Sequence, residues 1–252
     1  MTIGREIIRL GRVASTMDVL DGYARAGESE GLVVVASEQT AGRGRAGRTW
    51  IAPAGHNLLC SILLRPTLSP NQLGVLPLVV SVAVAETIEH FVPQPCLVKW
   101  PNDVQVAERK IAGILIQSRI SGTAVDFVNL GIGINVDVKR DALPAGATSI
   151  AAERGREVGC VPVLTTLLDR LNLAYGEFLG SNGSPDLSDW RRRATMLGER
   201  VTVISETQVL SGVFEDIDAS GKMLLRLDSG ERVALVHGEV ERGPRQLPIE
   251  SP

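Results

Sequence analysis

The sequence predicts an α+β fold in which helices back a mixed, mostly antiparallel sheet, with a small β-barrel at the C-terminal end. Strand-like apolar runs follow one another through residue 135 with turns between most of them, instead of alternating regularly with helices. After Leu197-Gly198 the pattern changes to short apolar strands separated by turns, which is typical of a small barrel. We therefore expect a large domain at 1–197, the barrel at 198–245 and a loose tail at 246–252.

The predicted large domain begins with a short helix at 16–26, because a pair of hydroxyl residues stands where a helix cap is needed. The apolar runs at 32–36 and Asn57–Leu64 are expected to form buried strands. Residues 71–91 are apolar nearly all round, as in a helix that packs against a sheet. Further strands are predicted at 96–100, 104–106, 110–117 and 124–134, further helices at 161–179 and 187–194, and barrel strands at 201–204, 209–215, 223–227 and 232–236.

The composition restricts the classes of function. The chain of 252 residues is 44% hydrophobic, and its formal net charge of −3 provides no overall basic field that would attract nucleic acid. Its three widely spaced cysteines, Cys60, Cys96 and Cys160, favour small buried side chains in a reducing compartment over disulfides or a zinc site. No signal-peptide pattern opens the chain, and Pro77 interrupts its longest apolar stretch. A soluble, cytoplasmic protein is expected.

Residues 42–50 read Gly-Arg-Gly-Arg-Ala-Gly-Arg-Thr-Trp and form the most informative motif. Glycine lets a backbone approach a ligand closely, and the forked guanidinium of arginine matches carboxylates and phosphates. The motif therefore predicts a loop that folds over a small anion, with a flexible basic loop that contacts nucleic acid as the alternative. Although it contains Gly-x-Gly-x-x-Gly, the following run, Asn57–Leu64, is strand-like, whereas a dinucleotide-binding site requires a helix there.

Two lysines stand at the ends of predicted strands. In Lys99-Trp100-Pro101-Asn102-Asp103 the proline interrupts the strand where Lys99 and Asp103 are displayed. A solvated turn is the alternative, but it does not explain why a tryptophan and a lysine lie inside it. Lys110 heads an apolar strand beside the small pair Ala112-Gly113, so it can point into a pocket floor or protect an exposed strand edge.

Gly131 and Gly133 occupy alternate positions of a predicted strand and leave one of its faces without side chains. A flat ring or another backbone could lie on that face, or the strand could pack closely against the long helix. Asn135 ends the strand with an amide donor and acceptor, the pair that reads an adenine edge.

Neutral hydrogen-bonding residues complete the set. Ser15 and Thr16 form a hydroxyl pair at a helix start, which capping alone would explain, and Gln39 ends the strand before the glycine-rich motif. The three histidines show no metal-ligand spacing, and no Ser/His/Asp or Cys/His nucleophile arrangement is evident. The sequence therefore predicts chemistry by positioning and charge stabilisation, without a covalent enzyme intermediate.

In this combination the sequence resembles the biotin–protein ligases. The resemblance covers roughly residues 11–240, and four motifs in register are far more specific than any one of them. It implies a catalytic domain like those of class II aminoacyl-tRNA synthetases and biotin ligases, followed by an SH3-like barrel. The motifs are Gly42-Arg43-Gly44-Arg45-x-Gly47-Arg48-x-Trp50, Lys99-Trp100-Pro101-Asn102-Asp103, Lys110-x-Ala112-Gly113-Ile114-Leu115 and Gly131-x-Gly133-x-Asn135.

The resemblance implies a reaction in two steps. Biotin and ATP, with Mg²⁺ as activator, give biotinoyl-5′-AMP and pyrophosphate. A specific lysine of a biotin carboxyl carrier protein, part of acetyl-CoA carboxylase or a related carboxylase, then attacks this anhydride and releases AMP. Neither nucleic acid nor a membrane is an expected partner, and a homodimer is an assembly that the resemblance allows.

The resemblance also assigns roles to residues. The glycine-rich loop would close over the adenylate and exclude the water that hydrolyses it, and Asp103 is the candidate magnesium contact. The implied catalytic residues are Lys110, Arg43, Lys99 and Asp103; the implied biotin-binding residues are Ser15, Thr16, Gln39, Gly42, Arg43, Arg45, Lys110 and Gly113; and the implied ATP- or adenylate-binding residues are Arg45, Arg48, Trp50, Lys99, Asn102 and Asn135.

The sequence departs from the family pattern in two places. Met17 stands where the family commonly has asparagine, which removes one polar contact. About ten residues precede Val13, too few for the helix-turn-helix that many relatives carry, so a monofunctional ligase is expected.

Three other functions compete with this interpretation. A lipoate ligase or octanoyltransferase would share the fold but needs an apolar channel without partners for a ureido ring. A nucleic-acid-binding module would bind with a steep salt dependence. A catalytically inactive biotin sensor would not require both Lys99 and Lys110.

Overall fold

The computed structural model describes residues 2–205 and 207–243, and its largest element is a seven-stranded sheet in the order β1-β2-β3-β7-β6-β5-β4. The helices pack against this sheet, so the predicted α+β class is confirmed. The strands are β1 (Glu6–Val13), β2 (Leu32–Gln39), β3 (Asn57–Leu64), β4 (Cys96–Lys99), β5 (Asp103–Val106), β6 (Arg109–Ser121) and β7 (Ala124–Asn135). The helices are α1 (Thr16–Arg25), α2 (Leu76–Glu89), α3 (Ile150–Arg154), α4 (Cys160–Gly180) and α5 (Ser188–Arg193).

The first unit of the sheet, β1–α1–β2, differs from the rest. β1 and β2 are parallel, whereas the other described pairs of this sheet are antiparallel. The sheet is therefore mixed and mostly antiparallel, as predicted, and α1 is the crossover that this parallel pair requires. The sequence pattern did not reveal β1 because it is a half-exposed edge strand, in which Glu6, Arg9 and Arg12 interrupt the apolar residues.

The apolar segment predicted as a single helix at 71–91 is divided in two. Pro70–Val75 is a 3-10 turn, begun by Ser69, whose backbone N–H and hydroxyl donate to Gln72 Oε1 at 2.8 and 2.7 Å. Pro77 lies in the first turn of α2, where no backbone N–H is needed. Pro70–Glu89 is long and apolar enough to cross a membrane, but most of it is buried inside the fold, as expected of a core helix.

The core lies between the sheet and the helices α2 and α4. All eight residues of β3 are buried, which explains why the strand is apolar apart from Asn57 and Ser61. Cys60 of β3 and Cys96 of β4 are buried there, and burial raises the pKa of both thiols to about 12. These cysteines therefore remain protonated and act as small apolar side chains, as the sequence predicted.

The C-terminal strands form a separate five-stranded antiparallel sheet in the order β11-β10-β9-β8-β12. Four of them match predicted strands, while β12 was not recognised in the sequence. The predicted tail at 246–252, and residues 244 and 245 of the predicted barrel, lie outside the described residues. The strands are β8 (Arg200–Ile204), β9 (Val209–Ile217), β10 (Met223–Leu227), β11 (Arg232–Leu235) and β12 (Glu239–Arg242).

The second sheet packs beside the turn that follows β4. Trp100 is buried, and its indole N–H donates to the carbonyl oxygen of Gly221 at 3.1 Å. Gly74 lies against the same loop, where a Cβ would be 2.3 Å from the carbonyl oxygen of Ser220. These contacts bring the C-terminal sheet next to the Lys99–Asp103 motif.

Candidate active site

A cavity of about 140 Å³ lies over the strands β3, β6 and β7. Its walls come from the start of α1, the end of β2, the loop at 42–50 and the turn at 102–103. Residues from all four sequence motifs therefore border one space, although they are up to 90 positions apart in the chain.

The loop at 42–50 folds back on itself as a tight hairpin. Trp50 N–H donates to the oxygen of Gly42 at 2.9 Å, and Gly44 N–H donates to the oxygen of Arg48 at 2.7 Å. A Cβ at Gly42 would lie 2.6 Å from the carbonyl oxygen of Trp50, so glycine is required there for close approach of the backbone. At the tip, Ala46 and Gly47 have positive φ angles of 50° and 69°.

The glycine face of β7 is occupied by two side chains of the protein itself. A Cβ at Gly133 would lie 2.6 Å from the indole ring of Trp50, and a Cβ at Gly131 would lie 2.8 Å from the sulfur of Met17. Gly113 on β6 also faces the indole, at 2.9 Å. The glycines thus leave room for a flat ring, which was one of the predicted alternatives. The side chains that cover them come from α1 and the loop at 42–50, whereas the other alternative was packing against the long apolar helix.

Lys110 carries a positive charge into the cavity. Its Nζ lies 2.7 Å from Asp103 Oδ1 and 5.5 Å from the centre of the Trp50 ring, a cation–π contact. Its backbone N–H donates to the oxygen of Gly146, and its own oxygen accepts from Thr148 N–H, both at 2.8 Å. The lysine is therefore fixed at the backbone and at the tip of its side chain.

The three arginines of the loop have different surroundings. Arg43 pairs with Asp18 of α1, and Arg48 lies 3.2 Å from Glu239 of β12; both pairs are exposed. Arg45 donates to Asn102 Oδ1 at 3.1 Å, and the described residues provide no ion-pair partner for it. Burial lowers the pKa of this guanidinium, although the charge of Asp103 opposes the shift. Arg45 is thus the arginine with an unmatched charge at the cavity.

A neutral hydrogen-bonding cluster lies at the other part of the cavity, beside Gly131. Thr16 donates from its backbone N–H and its hydroxyl to Gln39 Oε1, at 2.7 and 3.0 Å. The hydroxyl of Thr16 also lies 2.8 Å from Ser61 Oγ. Ser15 caps α1, its Oγ accepting from Met17 N–H at 3.3 Å. Ser61 was missed in the sequence, where the only signal was one serine inside an apolar strand.

Three predicted site residues do not border the cavity, namely Lys99, Asn135 and Gly42. Lys99 borders a separate groove together with Thr195 and Arg242. Asn135 is buried beyond the cavity and donates to the carbonyl oxygen of Thr148 at 2.9 Å. Gly42 supports the loop through its backbone, and the other predicted site residues border the cavity directly.

The acidic residues do not form a protein-built metal site. Within 2–205 and 207–243, no group of three or more His, Cys, Asp or Glu side chains is close enough to hold an ion. Asp103 is the carboxylate at the cavity, and Lys110 is already bound to it. These residues do not fit a magnesium ion held by protein ligands alone.

Comparisons with known proteins show the family to which the chain is similar. Residues 10–135 match the model of the biotin/lipoate A/B protein ligase family, and residues 196–243 match that of the biotin protein ligase C terminal domain. A biotin--[acetyl-CoA-carboxylase] ligase of Paracoccus denitrificans is 37% identical over 208 residues, which are 79% of this chain and 86% of that protein. A ligase of the same name from Mycobacterium tuberculosis is 33% identical over 235 residues, 88% of this chain and 83% of that one.

Solved structures show the same fold. The biotin protein ligase of Aquifex aeolicus in complex with biotin and ATP superposes with a TM-score of 0.80 at 28% sequence identity. The match covers 95% of this chain and 100% of the Aquifex chain.

Proposed function

The chain belongs to the biotin/lipoate A/B protein ligase family, and we infer from the chemistry of its cavity how it acts as a biotin–protein ligase. The enzyme uses ATP to form biotinoyl-5′-AMP and then joins biotin to a lysine of a carboxylase carrier domain. One observation supports the residue roles proposed below: a single cavity combines a neutral hydrogen-bonding cluster beside Gly131 with the cations Lys110 and Arg45.

The first half-reaction brings two anions together. An oxygen of the biotin carboxylate attacks the α-phosphorus of ATP, a carbonyl–O–P bond forms, and the bond to pyrophosphate breaks. We propose that Lys110 and Arg45 neutralise the carboxylate and the α-phosphate, an effect that is strongest where water is excluded. Asp103 and Trp50 hold the Lys110 ammonium in place, and Asn102 orients Arg45.

In the second half-reaction the amine of the carrier lysine attacks the acyl carbon of the anhydride. An amide bond forms, the amine loses a proton, and AMP leaves. Until the carrier arrives, the loop at 42–50 covers the intermediate, and the Arg43–Asp18 pair holds the loop against α1.

The neutral cluster supports biotin over lipoate or octanoate as the acid. Biotin ends in a ureido ring with one carbonyl acceptor and two N–H donors, whereas those two acids end in an apolar disulfide ring and a methyl group. Ser15 and Gln39 retain donors, the hydroxyl of Ser15 and the NH₂ group of Gln39, that a purely apolar tail would leave without partners, at a cost in binding. Met17 supplies a thioether over Gly131 at this end of the cavity.

The remaining assignments follow from the same arrangement. We propose that the indole of Trp50, which covers the glycine face, stacks against the adenosine, and that Arg48, which borders the same cavity, contacts the phosphates. Magnesium would enter bound to ATP, because its ligands would be mostly phosphate oxygens and water. We propose a catalytic domain at 1–197 and a C-terminal domain at 198–245, a cytoplasmic location, and no nucleic-acid or membrane partner.

The test is pyrophosphate release from ATP with biotin, lipoate or octanoate as the only added acid. Release that depends on biotin is the expected result. Release with lipoate or octanoate, and none with biotin, would identify lipoate or octanoate as the acid substrate in place of biotin. No release with any acid from folded protein would contradict the ligase assignment.

A further inference from the structure

A chain of buried hydrogen bonds connects Ser61 to the cavity without placing Ser61 in it. Ser61 lies at the centre of β3 and is fully buried, and Thr16 at the start of α1 is 2% exposed. Their hydroxyl oxygens are 2.8 Å apart, and the chain continues from Thr16 to Gln39 Oε1 at the end of β2. Of these three side chains, those of Thr16 and Gln39 border the cavity.

The direction of each hydrogen bond follows from the inventory of donors. Gln39 Oε1 can only accept, so the hydroxyl proton of Thr16 points to it at 3.0 Å. Thr16 has a single hydroxyl proton, and Ser61 must therefore be the donor in the contact between the two hydroxyls. The backbone N–H of Thr16 adds a second donation to the same Gln39 oxygen, at 2.7 Å.

This pattern fixes the orientation of the Gln39 amide. The Gln39 oxygen accepts from both the backbone N–H and the hydroxyl of Thr16. If the amide were flipped to the opposite orientation, its NH₂ group would face the Thr16 N–H, and two donors would then lie against each other. The NH₂ group is consequently the part of Gln39 that remains available to a ligand. The cavity thus presents a donor at this point, which matches a carbonyl oxygen and not an N–H.

We propose that Ser61 is a positioning residue for biotin: by donating to Thr16, it holds the Gln39 amide with its NH₂ group directed at the ureido oxygen. The inference rests on the proposed function. Without the Ser61 donor, the buried Thr16 hydroxyl oxygen loses its partner and its own donation to Gln39 is weakened, so one of the two bonds that orient the amide holds it less firmly. The expected penalty is that of one neutral hydrogen bond, about fivefold in affinity.

The test is a double-mutant cycle on biotin-dependent adenylate formation. Ser61→Ala should raise the KM for biotin about fivefold, while the KM for ATP and kcat stay within about twofold of the parent. In a Gln39→Ala background, the same substitution should change the KM for biotin by less than about twofold, because its effect passes through that amide. A residue that only stabilises the fold would not show this dependence on Gln39.

Ser81→Ala is the matched control. Ser81 is 1% exposed and donates to the oxygen of Leu78 within α2 at 2.7 Å, so the substitution removes a buried serine hydroxyl away from the cavity. It should leave the KM for biotin unchanged. If Ser61→Ala does not fold, Ser61→Cys takes its place, since a thiol is similar in size and a weaker donor, and should raise the KM at least twofold.

Two results would overturn the inference: an unchanged KM for biotin in the folded Ser61 variant, or an equal rise with and without Gln39. The parent enzyme is measured in the same assay. A parent that does not use biotin would refute the proposed function and this inference together. A parent that uses biotin, with a cycle showing no coupling, would refute the role of Ser61 alone.

Discussion

The ammonium group of Lys110 lies 2.7 Å from the carboxylate of Asp103, and both side chains come from adjacent strands of the sheet. The ring of Trp50 faces the same ammonium from another direction. Strand register therefore holds a flexible lysine in one position before any ligand arrives. A charge that is held in advance requires little reorganisation during the reaction, which is the basis of electrostatic stabilisation.

Lys110→Ala is expected to lower the rate of adenylate formation by about 10²- to 10³-fold, the usual loss when a group that stabilises developing charge is removed. The fold should persist, because the backbone bonds of Lys110 to Gly146 and Thr148 do not need its side chain. The measurement is single-turnover formation of biotinoyl-5′-AMP, with far-UV circular dichroism as a check on folding. Lys139→Ala, which removes an exposed lysine, is the control. A near-parental rate in Lys110→Ala would be incompatible with the proposed role.

Asp18→Ala and Arg43→Ala should each speed release of the adenylate by about two- to fivefold, because each removes the exposed ion pair that holds the loop on α1. Added salt should speed release from the parent and have less effect on the variants, since it screens this pair. Stopped-flow exchange against excess unlabelled biotin measures the rate. The matched control is Asp21→Ala, which breaks an exposed pair with Arg25 on the same helix. An unchanged rate of adenylate release in both loop variants would show that the Arg43–Asp18 pair does not hold the loop closed.

Glu239→Gln tests the contact between the C-terminal sheet and the loop. Glu239 lies 3.2 Å from Arg48, and its loss should raise the KM for ATP by about two- to fivefold with little change in the melting temperature. Steady-state kinetics at varied ATP concentrations provide the measurement. Glu241→Gln removes the same charge from the same strand without that contact and serves as control. If both variants raise the KM for ATP equally, the change in net charge causes the effect and the contact between Glu239 and Arg48 does not.

Gly133→Ala should be more harmful than Gly131→Ala. A methyl group at Gly133 would lie 2.6 Å from the rigid indole of Trp50, whereas one at Gly131 meets the end of the flexible Met17 side chain. The crowding at Gly133 should cost about 1–3 kcal/mol, and each kcal/mol lowers the melting temperature by about 2–4 °C in a domain of this size. Thermal unfolding of the two variants is the comparison. A larger decrease for Gly131→Ala would show that Trp50 does not pack on the glycine face as described.

Much of the fold could be predicted because its strands carry strong local signals. β3 is apolar except for Asn57 and Ser61 and was predicted with its observed limits, since a strand buried on both faces needs no alternation. The 3-10 turn before α2 was not distinguished from the helix, because its apolar residues fit either form of helix. β1 and β12 were missed because short edge strands carry exposed charges, and the partner strand, not the local sequence, determines their structure.

The candidate site was predictable as a set of motifs, but not as a set of contacts. The glycine-rich loop follows the end of a strand, and Lys110 lies at the start of another. Both positions can be recognised from the local pattern of apolar residues, and both border the cavity. Lys99 borders another groove, which is also lined by Thr195. Thr195 is bound to the same strand, because its backbone N–H donates to the carbonyl oxygen of Val98 at 2.8 Å. Such relations between distant segments, like that of Ser61 with Thr16, have no signature in the local sequence.

In the complete reaction the enzyme joins biotin covalently to a carrier lysine. The most direct measurement is the intact mass of an apo biotin carboxyl carrier domain from an acetyl-CoA carboxylase, after incubation with enzyme, ATP and biotin. We expect a mass increase of one biotin less one water, located on a single lysine, that requires both ATP and biotin. The contradicting result is a carrier domain of unchanged mass. That result counts only if the enzyme forms the adenylate in the same preparation and another biotin ligase modifies the same carrier domain.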